Sequence, residues 1–215
     1  IDWVWHLYNQ ARWPKGRKRG PDNIRKAHGF VSILRRIISF GVRAEIAECA
    51  RIHTILETER FPAPKPRKKS LSRGYVEAFI ETAQTMGRMS LALGTAIQFE
   101  CGFRQRDVVG EWDEDGRSAY LLRGRYWVNG LQWSDIRDGV LTKQTTKTGA
   151  VVTHDLTLLP LTSALIASIP AEKRVFGPVI VDELNGRPYA EHAYAREWRK
   201  AVSYTHLRAH ETDSY

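Results

Sequence analysis

The sequence predicts an α+β chain, mainly α-helical, with one small antiparallel β-hairpin or sheet. Three observations predict it. Apolar residues recur at three- and four-residue spacing through most of the first 110 positions. A proline- and lysine-rich stretch breaks that pattern once, after Phe61. Beyond Ser134 the period shortens to two in a pair of short runs flanking Thr146-Lys147-Thr148-Gly149.

Taken in order, Asp22 is the N-cap of a helix over 22–40, with Ile24, Ala27, Val31, Leu34 and Ile38 on one stripe and Gly41 as its stop. A second helix covers 44–60, its stripe made by Ile46, Ala47, Ala50, Ile55 and Leu56. Residues 1–13, with Trp3, Trp5 and Trp13, read as the end of an earlier helix. Pro62, Pro64 and Pro66 then forbid helix, because each lacks an N–H and restricts the residue before it. The chain therefore divides into a helical domain over 1–61, a linker over 62–70 and a second domain over 71–201.

In the second domain Ser72 caps a helix reaching about residue 86, with Val76, Phe79, Ile80 and Ala83 on one face. Another spans 89–101 (Leu91, Leu93, Ala96, Ile97), and Arg106 to Trp112 reads as a short helix. Residues 113–130 are turn-rich and aromatic. Val140 to Thr145 and Ala150 to His154 form the hairpin, with Lys147 at its tip. Leu158 to Ile169 is helical and ends at Pro170; Gly186-Arg187-Pro188 is a turn; His192 to Ala201 is amphipathic through Tyr194, Trp198 and Ala201. No internal repeat is visible.

Composition narrows the function. Of 215 residues, 42% are apolar and 27% charged, ordinary globular usage that excludes wholesale disorder. No apolar run approaches the ~18 residues of a membrane span, and the start carries no signal-peptide pattern. Two cysteines, Cys49 and Cys101, are too few for a disulfide framework and suit a reducing compartment. The net charge of +9 is unevenly placed: residues 1–70 hold 16 Lys+Arg against 6 Asp+Glu, whereas 71–215 hold 17 against 18. Lys15, Arg17, Lys18 and Arg19 form one basic run, and Lys65, Arg67, Lys68 and Lys69 another. Such runs imply a polyanion, and nucleic acid is the usual one. Zinc-ligand clusters, a Walker loop and a Gly-x-Ser-x-Gly elbow are all absent.

What remains is an arginine that follows a helix, Arg104, and a lysine in a hairpin about 40 residues later, Lys147. On these residues the sequence resembles the tyrosine recombinase (phage integrase) family. Ala92 to Trp112, with Cys101-Gly102-Phe103-Arg104-Gln105-Arg106-Asp107 at its centre, looks like the family's first catalytic box. Gly130 to Ile136 resembles the approach to the hairpin, and Thr145-Thr146-Lys147-Thr148-Gly149 resembles its lysine turn. Gly186-Arg187-Pro188-Tyr189 and the helix holding Trp198 look like the approach to a second box. The resemblance covers about 72–201, and residues before 62 are more loosely similar to a helical, SAM-like core-binding domain. It implies that 71–201 is the N-terminal part of a catalytic domain. It also implies Arg104 and Lys147 as catalytic residues, Asp107 as a structural acidic partner, and Lys143 as the alternative lysine if the register slips.

The chemistry implied is site-specific DNA strand cleavage and rejoining through a phosphotyrosine intermediate, in a phage-borne or other mobile-element enzyme of the bacterial cytoplasm, without metal or cofactor. An arginine fork meets the non-bridging oxygens of the transition state, and a lysine protonates the leaving 5′-oxygen. The resemblance narrows the polyanion to double-stranded DNA, and a tetrameric synapse is implied for the intact parent. The family's second box and nucleophilic tyrosine have no counterpart: His154-Asp155-Leu156 is followed by Thr157 instead of arginine, His206 and Arg208 are one residue too close, and Tyr215 lies too near Ala209. Residues 202–215 resemble a translated sequencing adapter. The expectation is a truncated and inactive chain. The alternative is a non-catalytic helical DNA-binding regulator or excision factor, which accounts for the basic runs but not for Arg104, Asp107 and the Lys147 hairpin. An RNA-binding module is weaker still, for no RNP-like aromatic strand is present.

Overall fold

The computed structural model describes residues 24–61, 63 and 70–212, and the chain divides into two units at Ser70 and Leu71. In the first unit α1 (Ile24–Arg43) and α2 (Ala47–Thr58) pack as a pair. Gly41 is not the stop of α1. It lies inside the helix, buried, where an added Cβ would run into Cys49 Sγ. The glycine thus permits close approach of α2, and the reversal falls instead on Glu45 at φ 58°. Arg35 closes the other end of the pair. Its guanidinium donates to the Leu56 carbonyl at 2.8 and 3.1 Å and to the Glu59 carbonyl at 3.0 Å. These are carbonyls that the end of α2 leaves without helical partners. The same group lies 5.6 Å from the Phe61 ring centroid.

The second unit is built around α4 (Met89–Cys101), whose residues Ser90 to Ile97 are all buried. A helix apolar all round belongs at the centre of its domain. Before it, α3 (Arg73–Thr85) starts at Ser72, whose hydroxyl accepts from the Tyr75 N–H at 3.3 Å. After it, α5 (Gln105–Val109) is a helix of five residues. The expected continuation of α5 to Trp112 does not occur. Gly110, at φ 85°, ends it, and Trp112 enters strand β1 (Glu111–Asp113). The aromatic stretch that follows forms β2 (Leu121–Leu122) and β3 (Arg125–Val128), and these make an antiparallel sheet in the order β1-β3-β2.

A 3-10 turn at Trp133–Asp135 leads to a second antiparallel sheet, β4 (Ile136–Arg137), β5 (Val140–Gln144) and β6 (Val151–Asp155), in sequence order. Leu141 opposes His154, and Lys143 opposes Val152. The architecture is thus α+β, with seven helices and two three-stranded sheets among the described residues. Then α6 (Pro160–Ser168) begins with proline at its first turn. Its free N–H groups at Leu161 and Thr162 donate to the Glu100 carboxylate at 3.0 and 2.9 Å. Finally α7 (Ala193–Thr212) lies along α3 and α4, where Trp198 packs on Phe79 at 5.3 Å and donates to Thr95 Oγ1 at 3.1 Å. This helix crosses residue 202 without a break, so secondary structure marks no boundary there.

No helix among the described residues is long and apolar enough to cross a membrane. Phe79, Leu91, Leu93, Ile97, Val108, Leu131, Leu141 and Ile180 are fully buried in one core that joins α3, α4, α5 and the second sheet. Phe79→Ala is therefore expected to cost ~3–5 kcal/mol of unfolding free energy, measured by denaturant titration.

Candidate active site

The last turn of α4 determines where Arg104 points. Gly102 takes the left-handed conformation at φ 67°, and its N–H donates to the Gln98 carbonyl at 3.1 Å, closing the helix. The reversal drives Phe103 into the core, 7% exposed, and leaves the Arg104 side chain half exposed. Arg104 is the N-cap of α5, in extended conformation at φ −72° and ψ 153°. One helical turn later comes Asp107. Residues three apart share a helix face, and Asp107 Oδ2 lies 4.0 Å from Arg104 Nη1.

The Asp107 carboxylate is 1% exposed, and its other oxygen, Oδ1, accepts the backbone N–H of Thr146 at 2.7 Å. That bond joins α5 to the hairpin turn. Burial would raise the Asp107 carboxyl. The Thr146 backbone and side chain, the Arg104 backbone N–H and the Arg104 charge outweigh it and hold the group below the usual carboxylate range. Oδ2 is buried, has no hydrogen-bond partner among the described residues, and faces the Arg104 guanidinium at 4.0 Å.

Lys147 follows Thr146 in the turn between β5 and β6 and is exposed, with no ion pair among the described residues. The turn is closely bonded. Thr145 donates its N–H to the Ala150 carbonyl at 2.8 Å, Gly149 donates to Thr145 at 2.9 Å, and the Thr145 and Thr148 hydroxyls meet at 2.9 Å. Gly149 supplies the left-handed residue at φ 69°. Lys143, the alternative lysine, is committed elsewhere: its ammonium donates to the Gly130 carbonyl at 2.7 Å and lies 3.5 Å from Asp135 Oδ2.

The Asp107–Thr146 bond thus brings the turn that carries Lys147 next to the helix of Asp107 and Arg104, and both cations are exposed. A planar fork of donors beside a flexible ammonium is suited to a tetrahedral or trigonal-bipyramidal oxyanion. His154 is not part of this group. It points inward from β6 and meets the Phe103 ring edge-on at 5.3 Å. Burial, then the neighbouring Glu100 charge, push the Cys101 thiol up to about 12, which disfavours its thiolate. Metal ligands do not cluster in threes among the described residues. The basic residues Lys15, Arg17, Lys18, Arg19, Lys65, Arg67, Lys68 and Lys69 lie outside the described residues, as do Tyr215 and the side chains of His206 and Arg208. Sequence reasoning missed Thr146, which acts through its backbone N–H and so leaves no side-chain signature. It named Lys147 and kept Lys143 as the alternative; strand alternation places Lys143 on the inward face with Leu141.

No known family model and no curated protein matches the sequence. Solved structures do match the fold. A lambda integrase dimer bound to a COC′ core site superposes with a TM-score of 0.52 at 16% identity, covering 95% of this chain and 63% of that one. Lambda integrase residues 75–356 bound to DNA gives 0.53 at 16%, covering 95% and 78%. A lambda integrase tetramer bound to a Holliday junction gives 0.53 at 16%, covering 95% and 64%. At this identity the likeness is one of fold, and the chain spans less than two thirds of the first of these proteins.

Asp107→Asn removes the charge that faces Arg104 and weakens the Thr146 bond. It is expected to cost ~1.5–3 kcal/mol, read from chemical denaturation at neutral pH. A carboxylate held below its ordinary value contributes stability above about pH 4 and loses it as pH falls through its lower folded value. The variant should therefore show a shallower loss of stability on acidification than the parent.

Proposed function

We propose that this chain belongs to the tyrosine recombinases and derives from an enzyme that cuts and rejoins duplex DNA at specific sites. The observation that carries the reading is the Asp107–Thr146 bond at 2.7 Å, which sets an exposed arginine beside the turn of an exposed lysine. The order of Arg104, Asp107 and Lys147 along the sequence, and the fold shared with lambda integrase, support it. In this reading Arg104 binds the non-bridging oxygens of the scissile phosphate, and its fork gains most when the oxygens acquire charge in the transition state. Asp107 keeps the guanidinium in place. Lys147 delivers a proton to the 5′-oxygen as it leaves, and the attacking tyrosine is a residue the 215-residue chain does not supply. The basic runs of the first 70 residues bind DNA phosphates, and the parent assembles as a tetramer on paired sites. A bacterial or phage gene on a mobile element is the proposed source. We also propose that residues 202–215 are translated adapter, a reading that fails if the source locus continues through the same codons.

Fluorescence anisotropy with duplex DNA tests the reading. Log affinity should fall linearly with log salt, with a slope near −0.9 for each phosphate neutralised. Replacing Lys15, Arg17, Lys18 and Arg19 together by alanine should flatten that slope by up to about 3.6. Binding indifferent to salt and to these lysines and arginines would overturn the proposal. A nicked suicide substrate should give no covalent adduct with this chain.

A further inference from the structure

We propose that Lys143 is a positioning residue. Its partly buried ammonium latches β5 to the Gly130 carbonyl and the Asp135 carboxylate, and so fixes where the hairpin presents Thr146 to Asp107 and Lys147 to the substrate. What the latch serves rests on the phosphoryl-transfer reading above; the latch itself rests on geometry.

The first ground is the placement of a cation on the wrong face of a strand. Along β5, Leu141 and Lys143 face inward, while Thr142 and Gln144 are exposed. The Lys143 side chain is 11% exposed. An ammonium taken out of water is costly unless it is paired and hydrogen-bonded. Here it has both partners, a carbonyl at 2.7 Å and a carboxylate at 3.5 Å.

The second ground is the rigidity of what it grips. Gly130 lies against the Trp127 indole, where a Cβ would collide with the ring. That indole donates to the Val109 carbonyl at 2.9 Å, and Leu131 donates its N–H to the Val108 carbonyl at 3.0 Å. Both acceptors belong to α5, the helix of Asp107. Asp135 Oδ2 is steadied in turn by the Gln132 N–H at 2.9 Å. Lys143 therefore ties the hairpin to the same short helix that Thr146 meets three residues further along the chain, in the turn. On the facing strand His154 packs against Phe103, the residue before Arg104. The hairpin is anchored at mid-strand and at its tip, and Lys147 alone of its two lysines is left facing solvent.

Nuclear magnetic resonance on the isotopically labelled 215-residue chain tests this. Lys143→Met keeps the length of the side chain and removes its charge. Exchange of the Thr146 amide should quicken about tenfold relative to amides in α4. The Asp107 carboxyl midpoint should rise towards its ordinary value as the Thr146 bonds weaken. If both stay at parental values while only the melting temperature falls, Lys143 merely strengthens the fold and the proposal is overturned. Should Lys143→Met not fold, Asp135→Asn decides: the same two changes, smaller in size, support the latch, and their absence sinks it. Neither readout involves DNA, so a failed DNA titration would count against the proposed function and leave the latch standing.

Discussion

Asp107 accepts the Thr146 N–H at 2.7 Å from a position 1% exposed, and the geometry of the site depends on that bond. A carboxylate in such a position must be satisfied or protonated. Its partners come from two sources: the arginine one turn earlier, and a hairpin whose sequence begins more than 30 residues later. Folding α5 without the hairpin would leave the carboxylate short of a donor, and folding the hairpin without α5 would leave its turn unanchored. The two halves of the site are therefore assembled by one charge-assisted hydrogen bond, which is shorter and stronger than a neutral one.

Around this bond the scaffold is stiff where the site needs stiffness. The fully buried α4 ends at Gly102 so that Phe103 fills the core and Arg104 does not. Trp127 sits where side chains at Gly110 and Gly130 would otherwise be, and this lets the first sheet press against α5. Glu100, in the last turn of α4, holds the start of α6. A group that must meet an oxyanion within a fraction of an ångström gains from such support, because misplacement is costly and side-chain entropy is removed during folding instead of during reaction.

The helices were legible because their causes are local. Ser72 caps α3 as its residue type implies, and the apolar stretch of α4 runs over the expected 89–101. The hairpin was legible through its alternation and its Thr-Lys-Thr-Gly turn. Strands β1, β2 and β3 were not, for they are two to four residues long, too short to display a period. Gly41 was misread because a glycine that ends a helix and one that admits a neighbour look the same in sequence. The start of α6 depends on Glu100, some 60 residues earlier, which no local window contains. Arg104 and Lys147 were singled out through the family resemblance, whereas the bond that joins the Lys147 turn to Asp107 uses the backbone of Thr146, and a backbone donor has no letter.

The charge balance of the second half gains a physical meaning from the ion pairs. Residues 71–215 are nearly neutral, with 17 Lys+Arg against 18 Asp+Glu, yet neutrality of the sum does not make the site neutral. The acids are spent on other cations. Arg88 takes Asp182, Glu183 and Glu197; Arg125 takes Glu114 and Glu191; Arg106 takes Glu111 at 2.9 Å. Lys143 takes Asp135. At the site the balance tips the other way. The acid beside Arg104 is buried and shared with Thr146, and Lys147 has no acid beside it among the described residues. The site keeps an excess of positive charge in an otherwise nearly neutral half of the sequence, the feature to which the proposed function assigns phosphate binding. In the proposed reading, long-range attraction to DNA is left to the basic first third of the sequence, and the chemistry to Arg104 and Lys147.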